Sequence, residues 1–438
     1  MRYLYTLILY LMVPWVIIRI VRRGIRMPSY FSRFPERFGK YSLFKSPRNS
    51  IWIHAVSVGE VQAAAPLINQ LLKKYPSHTF VVTTVTPTGE QRVGELFGKK
   101  VSHFYLPYDL PGSVRRFLDT IDPEVAIIVE TELWPNLFHQ LGKRKIPVVV
   151  ANARMSERSF KRYRRFARFT RSILKNITLV AAQGENDAER FYKLSSKHRS
   201  ASKLPIVVTG SLKFDLKLPA SLYEHAEVLR YKFGMHRPIW IAASTHEGED
   251  EQVLSAFSKI IEQFPNCLLI LVPRHPERAS KIGSLCKKSG FKCVRRSKTE
   301  QVENHVQVYI GDTLGEMSLL YAISDVAFVG GSLVKTGGHN MLEPAALGVP
   351  VITGPYTFNF DDITDMMLKV KAAEQVENAE QLAEIVINYL QDANLRHNVG
   401  QNGKQLIRDN RGALEKLLEI IGDFIEEHTG LEGASGQQ

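Results

Sequence analysis

Three carboxylates stand where apolar runs give way to polar turns. In "IWIHAVSVGEVQAAAP" (51–66) Glu60 follows Ser57 and Gly59 at the junction of a strand-like and a helix-like run. In "VAIIVETELWPN" Glu130 and Glu132 flank Thr131 at the end of an apolar run, where a carboxylate is costly unless it meets cations or hydroxyls. Lys213 in "GSLKFD" and Arg154 in "NAR" are candidate partners. A glutamate so placed can act as a general base if desolvation offsets the helix dipole, which lowers its pKa. The plainer alternative for Glu60 is a first-turn glutamate favoured by that dipole. For Glu130, Glu132, Lys213 and Arg154 it is a structural ion-pair network.

A second group has different chemistry. "GGSLVKTGGHNMLEPAALGVPVITGP" carries Gly330, Gly331, Gly337 and Gly338, then Asn340 as N-cap of a helix expected over Met341–Leu347. Glycines let backbone amides approach a ligand, and a helix start favours an anion, so the pattern suits a phosphate without a metal. Glu343, one turn in, is placed to accept from ribose hydroxyls. The spacing matches neither GxxxxGK[ST] nor GxGxxG, and a flexible loop with an ordinary glutamate is the alternative. Arg274, after "LLILVP", can meet a phosphate or a sugar carboxylate, or simply pair with Glu277. Asp361 and Asp362 lack a third carboxylate and read as a helix start rather than a metal site. Cys267, Cys286 and Cys293 form neither a disulfide framework nor a metal-ligand spacing.

The elements that position these residues alternate. "IWIHAV", "TFVVTTV", "HFYLPY", "VAIIVE", "IPVVVAN", "LVAAQ" and "PIVVTGS" are apolar strand-like runs separated by helical ones. After a polar stretch at 216–237 a second set follows: "IWIAAST", "LLILVPRH", "KCVRRS", "VQVYIG", "VAFVGGS" and "VPVITGP". Continuous apolarity marks strands covered on both faces, so the fold class is α/β, with two doubly wound parallel sheets. Ligands in such sheets bind beyond the carboxyl ends of the strands, where the polar residues above fall. His246 in "ASTHEGE" and His275 in "VPRHPER" lie at such ends too.

The net charge of +13 is local: residues 1–60 and residues 154–175 each carry a net +8, so the rest is slightly acidic. Tyr3 to Ile18 is almost wholly apolar, and Arg19, Arg22, Arg23 and Arg26 follow. As a helix those residues rise roughly 24 Å, short of the ~30 Å hydrocarbon layer, so a shallow span and a dipped anchor are both open. Charges after the run, and no small-residue cleavage site, argue for a retained anchor with the remaining chain in the cytoplasm. A buried core helix is the alternative. In "RMSERSFKRYRRFARFTRSILK" aromatic residues recur at helical spacing among Arg154, Arg158, Lys161, Arg162, Arg164, Arg165 and Arg168. That is a basic amphipathic helix suited to an anionic membrane or ligand, or a core-facing stripe with a solvated back. No nucleic-acid motif accompanies it.

Taken in order, "HAVSVGE", "TTVTPTG", "PYDLP", "ETELWPN", "NAR", "GSLKFD", "STHEGE", "VPRHPER", "FVGGSL" and "GGHNMLEPAALGVPVITGP" resemble the 3-deoxy-D-manno-octulosonic acid (Kdo) transferases of lipopolysaccharide assembly, over residues 1 to about 425. The resemblance implies a GT-B fold, two Rossmann-like domains facing a cleft. It implies a membrane anchor at 1–26, an acceptor domain at 27–215, a linker at 216–237, a CMP-sugar domain at 238–425 and a tail at 426–438. It also implies inverting, metal-independent transfer of Kdo from CMP-Kdo to a lipid A precursor (lipid IVA) at the cytoplasmic face of the inner membrane, with no cofactor. Glu60 is then the general base, with Glu130 and Lys213 as transition-state stabilisers. Pro273, Arg274, Gly315, Glu316, Met317, Asn340, Met341, Leu342 and Glu343 contact CMP. The basic patches hold an anionic membrane surface and substrate, with no nucleic acid. Pro344 inside the helix start is compatible only with its first turn. A sugar epimerase of the same architecture, or a non-catalytic membrane-associated nucleotide-binding protein, would share much of the pattern.

Overall fold

The computed structural model describes residues 1–41, 50–196, 204–299 and 302–429. Its contacts divide the chain into one unit of Met1–Asp215 plus the chain from Arg411 on, and a second of Leu216–Asn410.

The first unit holds a seven-stranded sheet: β1 (Ser50–His54), β2 (Thr79–Thr84), β3 (Ser102–Tyr105), β4 (Pro123–Val129), β5 (Val148–Ala153), β6 (Leu179–Ala182) and β7 (Ile206–Val208). All neighbours are parallel, in the order β3-β2-β1-β4-β5-β6-β7. Successive side chains enter opposite faces. Ile51, Ile53, Val125, Ile127 and Val129 pack into one core, and Trp52, Ala126 and Ile128 into the other. This two-sided burial is why the strands read as unbroken apolar runs. The chain reverses its winding between β1 and β4, so the residues after these two strands share the switch point where open sheets bind ligands.

The second unit repeats the plan with β8 (Ile239–Thr245), β9 (Leu268–Pro273), β10 (Cys293–Arg295), β11 (Val308–Ile310), β12 (Val326–Val329), β13 (Val351–Thr353) and β14 (Ala373–Gln375), ordered β10-β11-β9-β8-β12-β13-β14 and parallel throughout. Here the switch point lies between β8 and β12. Trp240 and Ala242 face one core, Ile239, Ile241 and Ala243 the other.

Two expected boundaries move. The stretch at 216–237 is no linker: it carries the helix Leu222–Phe233, whose Ala226, Leu229 and Phe233 enter the second unit's core. The second unit ends at Asn410, not 425, and the expected tail is helical to Thr429. Leu414, Leu417, Ile421, Phe424 and Ile425 of the helix Ala413–Thr429 form an apolar stripe in the first unit's core beside Val61 and Ala64. Asp215 starts that helix, accepting from Gly412 N at 2.8 Å and Leu414 N at 2.6 Å.

The amino-terminal helix runs Arg2–Arg26, well beyond the apolar run, about 37 Å at 1.5 Å per residue. It is long and apolar enough to cross a membrane. Tyr3, Leu11, Trp15 and Ile25 are exposed on it, which a core helix would not show. Thr6 and Asn136 bond it to the first unit at 3.0 Å. The basic segment is two helices rather than one, Glu157–Arg165 and Ala167–Leu174, broken at Phe166 (φ −115°, ψ 42°). Phe160, Ile173 and Leu174 are core, as the plainer alternative held, whereas Phe166 and the side chains of Arg158, Lys161, Arg162, Arg164, Arg165 and Arg168 are exposed. Arg154 is half-buried.

Candidate active site

Glu60 lies in the first turn of the helix Val58–Lys74, which leaves the end of β1. Its Oε2 accepts from Val56 N at 2.7 Å and its Oε1 from the Ser57 hydroxyl at 3.1 Å. The carboxylate therefore ties down the turn that leads into its helix, in whose first turn it stands, as the plainer alternative has it. Burial nevertheless pushes its pKa up to about 8; the charges of Glu130 and Glu132 add to this, while Val56 N–H and Ser57 oppose it. The helix start alone would have lowered it. Glu132 rises to about 7, again through burial first and then Glu130. The ends of β1 and β4 thus gather three carboxylates, and the charge of Glu130 opposes ionisation of both Glu60 and Glu132.

Glu130 itself has φ +61°, the left-handed region that residues other than glycine adopt at a cost of about 1–3 kcal/mol. Asn152 in β5 and Ser244 in β8 share this conformation, at φ +53° and +58°. All three mark carboxyl ends of strands, and the last two sit at breaks in strand register. Lys213 lies on the short turn Leu212–Phe214, anchored by Leu212 N to Asn152 Oδ1 at 3.1 Å and by Leu212 in the core beside Val61. Thr131 donates to the Arg154 carbonyl, tying the β4 and β5 ends together.

In the second unit the expected nucleotide contacts fall at the carboxyl ends of β9, β11 and β12. Pro273 ends β9, and Arg274 N bonds the Thr245 carbonyl at 3.0 Å, leaving its side chain exposed. Gly315 (φ +83°) precedes Glu316, and Met317 opens the helix Met317–Ala322. Asn340 Oδ1 accepts from Leu342 N at 3.1 Å, and its Nδ2 donates to Glu343 Oε1 at 3.1 Å. Ser318 donates to Glu343 Oε2 at 3.4 Å, which joins the 315–317 turn to the 340–343 turn. Burial pushes the Glu343 carboxyl up, against those two bonds. The helix after the glycine loop spans only Leu342–Leu347, shorter than expected, with Met341 rather than Asn340 at its N-cap. A helix of that length has few aligned peptides and so only a weak dipole.

Three contributors take no role from the sequence, because most of their partners lie far along the chain. Glu249, fully buried, accepts four backbone N–H groups: Ser332 and Leu333 on Oε1 at 2.9 Å, His246 and Gly331 on Oε2 at 2.8 and 2.7 Å. It fixes the loop after β12, where Gly330 leaves no room for a Cβ between the Ser244 carbonyl and Glu249. Arg296 holds Glu316 through a fork at 2.6 and 3.0 Å, which lowers the Glu316 pKa. His339 lies beside His246, with which it shares a close nitrogen contact.

A family profile described as 3-deoxy-D-manno-octulosonic-acid transferase matches residues 32–216, ending one residue past the first unit's Asp215, and one for glycosyl transferases group 1 matches residues 242–406, within the second unit. A 3-deoxy-D-manno-octulosonic acid transferase of Haemophilus influenzae is 43% identical over 98% of this chain and 99% of its own. The chain belongs to the Kdo transferase family. Another such transferase, from Bordetella pertussis, is 32% identical over 97% of this chain and 99% of its own. A UDP-GlcNAc 2-epimerase from Neisseria meningitidis shares the fold at a TM-score of 0.57 and 14% identity, covering 85% of this chain and 99% of that one. The Kdo transferase is thus a glycosyltransferase of GT-B architecture. The likeness to the epimerase is one of fold alone.

Proposed function

We propose that this Kdo transferase moves Kdo from CMP-Kdo to a phosphorylated lipid A precursor, lipid IVA, with inversion and without a metal or other cofactor. Inversion requires the acceptor hydroxyl to attack the face of the sugar opposite the departing phosphate. Glu60 takes the hydroxyl proton as the new bond forms, and the pair of the breaking C–O bond leaves on CMP. The observation that carries this reading is the half-buried Glu60 with its pKa pushed up to about 8 at the β1/β4 switch point. Once ionised, such a carboxylate is a far stronger base towards a hydroxyl than an ordinary glutamate. Glu130 and Lys213, on the strand ends beside it, suit stabilisation of the positive charge and the sugar carboxylate in the transition state.

For the donor, Pro273, Arg274, Gly315, Glu316, Met317, Asn340, Met341, Leu342 and Glu343 supply a nucleotide site in which Arg274 meets the phosphate and Glu343 the ribose. A single phosphate with cationic side chains around it needs no divalent ion, so turnover should survive a chelator. The exposed apolar helix and the basic face of residues 158–168 suit a chain held at the cytoplasmic face of the inner membrane, drawing in an anionic glycolipid.

The test is incubation of the full chain in detergent with CMP-Kdo and tetra-acylated lipid A precursor. Mass spectrometry should show Kdo added to the lipid and CMP released, and NMR should show the anomeric configuration inverted. A product of retained configuration, or none with this pair of substrates, would refute the reading.

A further inference from the structure

The carboxyl ends of β8, β9 and β12 bring together three histidines with no role so far: His246, His275 and His339. Nε2 of His246 and Nε2 of His339 are 2.8 Å apart, with ring planes only 4° from parallel. At that separation one imidazole N–H donates to the lone pair of the other, so the pair holds a single proton between its facing nitrogens. Two nitrogens on one tetrahedral zinc, at about 2.0–2.1 Å each, would lie roughly 3.3 Å apart, so the spacing is that of a shared proton rather than of a metal.

The pair is built, not incidental. Glu249 holds the His246 backbone N–H at 2.8 Å. His339 lies against Gly331, whose φ is +69° and whose Cβ, if it had one, would be 2.9 Å from the ring. Gly338 N closes the loop on Gly331 O at 2.8 Å.

The surroundings are cationic. Arg274, Arg278 and His275 act on the pair, and His275 stands edge-on to His246 at 6.1 Å. Of the negative groups, Glu249 favours a charge on His246, though burial and the three cations outweigh it and its oxygens are shared among four amides, and Asp250 is committed to Arg278 and Thr245. Burial and the neighbouring charges push His339 down to about 4, and burial lowers His246 as well. The pair is therefore held neutral among cationic side chains.

We propose that His246 and His339 form a proton-loading clamp for the nucleotide phosphate. The pair is neutral in the empty protein, takes one proton from solvent as the phosphate arrives beside Arg274, and holds it against the phosphate until CMP leaves. This rests on the nucleotide-site assignment made above. During transfer the donor phosphate passes from a singly charged diester to a doubly charged monoester as it receives the electron pair of the C–O bond. An imidazolium already facing it stabilises that gain of charge. The acceptor proton goes to Glu60, and the clamp's proton returns to solvent with CMP, so the cycle balances.

The experiment is calorimetric titration of the full chain in detergent with CMP, in two buffers of different ionisation enthalpy, from about pH 7 to 8.5. A phosphate monoester ionises a second time near pH 6, so the ligand itself changes little in this range. The expected result is net proton uptake, with affinity falling by up to tenfold per pH unit. His339→Gln and His246→Gln should each abolish the uptake and flatten the profile, which separates the pair from Glu343, Glu316 and His275, the other titratable groups around the site. CMP binding without proton uptake by the unmodified protein would overturn the clamp while leaving the nucleotide site standing, as would an unchanged slope in both variants. Failure of CMP to bind at all would overturn the site assignment and the clamp together.

Discussion

The charge of Glu130, at the end of β4, opposes ionisation of Glu60, at the end of β1, more than that of any other residue. The relationship follows from the strand order: β1 and β4 are neighbours although roughly seventy residues separate them, so the turns after both meet at one point. It also makes the base assignment open to a pH measurement.

Glu60 accepts a proton only when ionised. Transfer, as kcat/KM, should rise about tenfold per pH unit and level off near the value of about 8 to which burial and the adjacent charges bring this group. Glu130→Gln removes one of those charges, so the acid limb should move to lower pH, whatever loss of rate accompanies it. A limb that stays put or moves up would show that Glu130 does not act on the group that titrates.

The same shift makes a stability prediction. The folded-state pKa of Glu60 is raised from an ordinary 4.5, so stability present below that value is lost as pH rises towards about 8. Glu60→Gln carries no such cost. Relative to the unmodified chain, its Tm should be higher at pH 9 than at pH 5. Equal Tm differences at the two pH values would contradict the burial argument.

Glu249→Gln should be severe despite its small change in shape. The carboxylate takes two N–H groups on each oxygen, and an amide NH2 in place of one oxygen sets two donors against two donors. The expected cost is roughly 2–4 kcal/mol in denaturant unfolding, with weaker CMP binding because the loop after β12 loses its anchor. Unaltered stability and affinity would mean that the loop is held by other contacts.

Membrane attachment should have two separable parts. Deleting residues 2–26 should abolish flotation with vesicles of any composition. Arg162→Glu, Arg165→Glu and Arg168→Glu together should weaken only the binding to vesicles containing anionic lipid, by about 1 kcal/mol per group and less at high salt. Equal binding of that variant to neutral and anionic vesicles, unchanged from the parent, would exclude the basic face from the attachment.

Much of this was legible in the chain because two-sided burial writes each parallel strand as an apolar run, and strand ends then point to the site. β14, "AEQ", escaped because two of its three residues are exposed at the sheet edge. The basic segment kept helical spacing through Phe166, yet the backbone breaks there, since the core takes Phe160 and Ile173 from two separate helices. The core that the last helix fills is set by residues distant in the chain: Asp215, about two hundred residues upstream, and Tyr75 and Lys74, further still. Glu249, Arg296 and the His246–His339 pair act through partners twenty to ninety residues away, a distance at which spacing carries no information.

The central claim is that Glu60 takes the acceptor proton. Glu60→Gln keeps the size of the side chain and removes the base. In the full chain, with CMP-Kdo and lipid A precursor, the rate of Kdo transfer should fall by about 10²–10⁴ while CMP binds with unchanged affinity. Turnover within a few-fold of the unmodified enzyme would show that Glu60 only starts its helix.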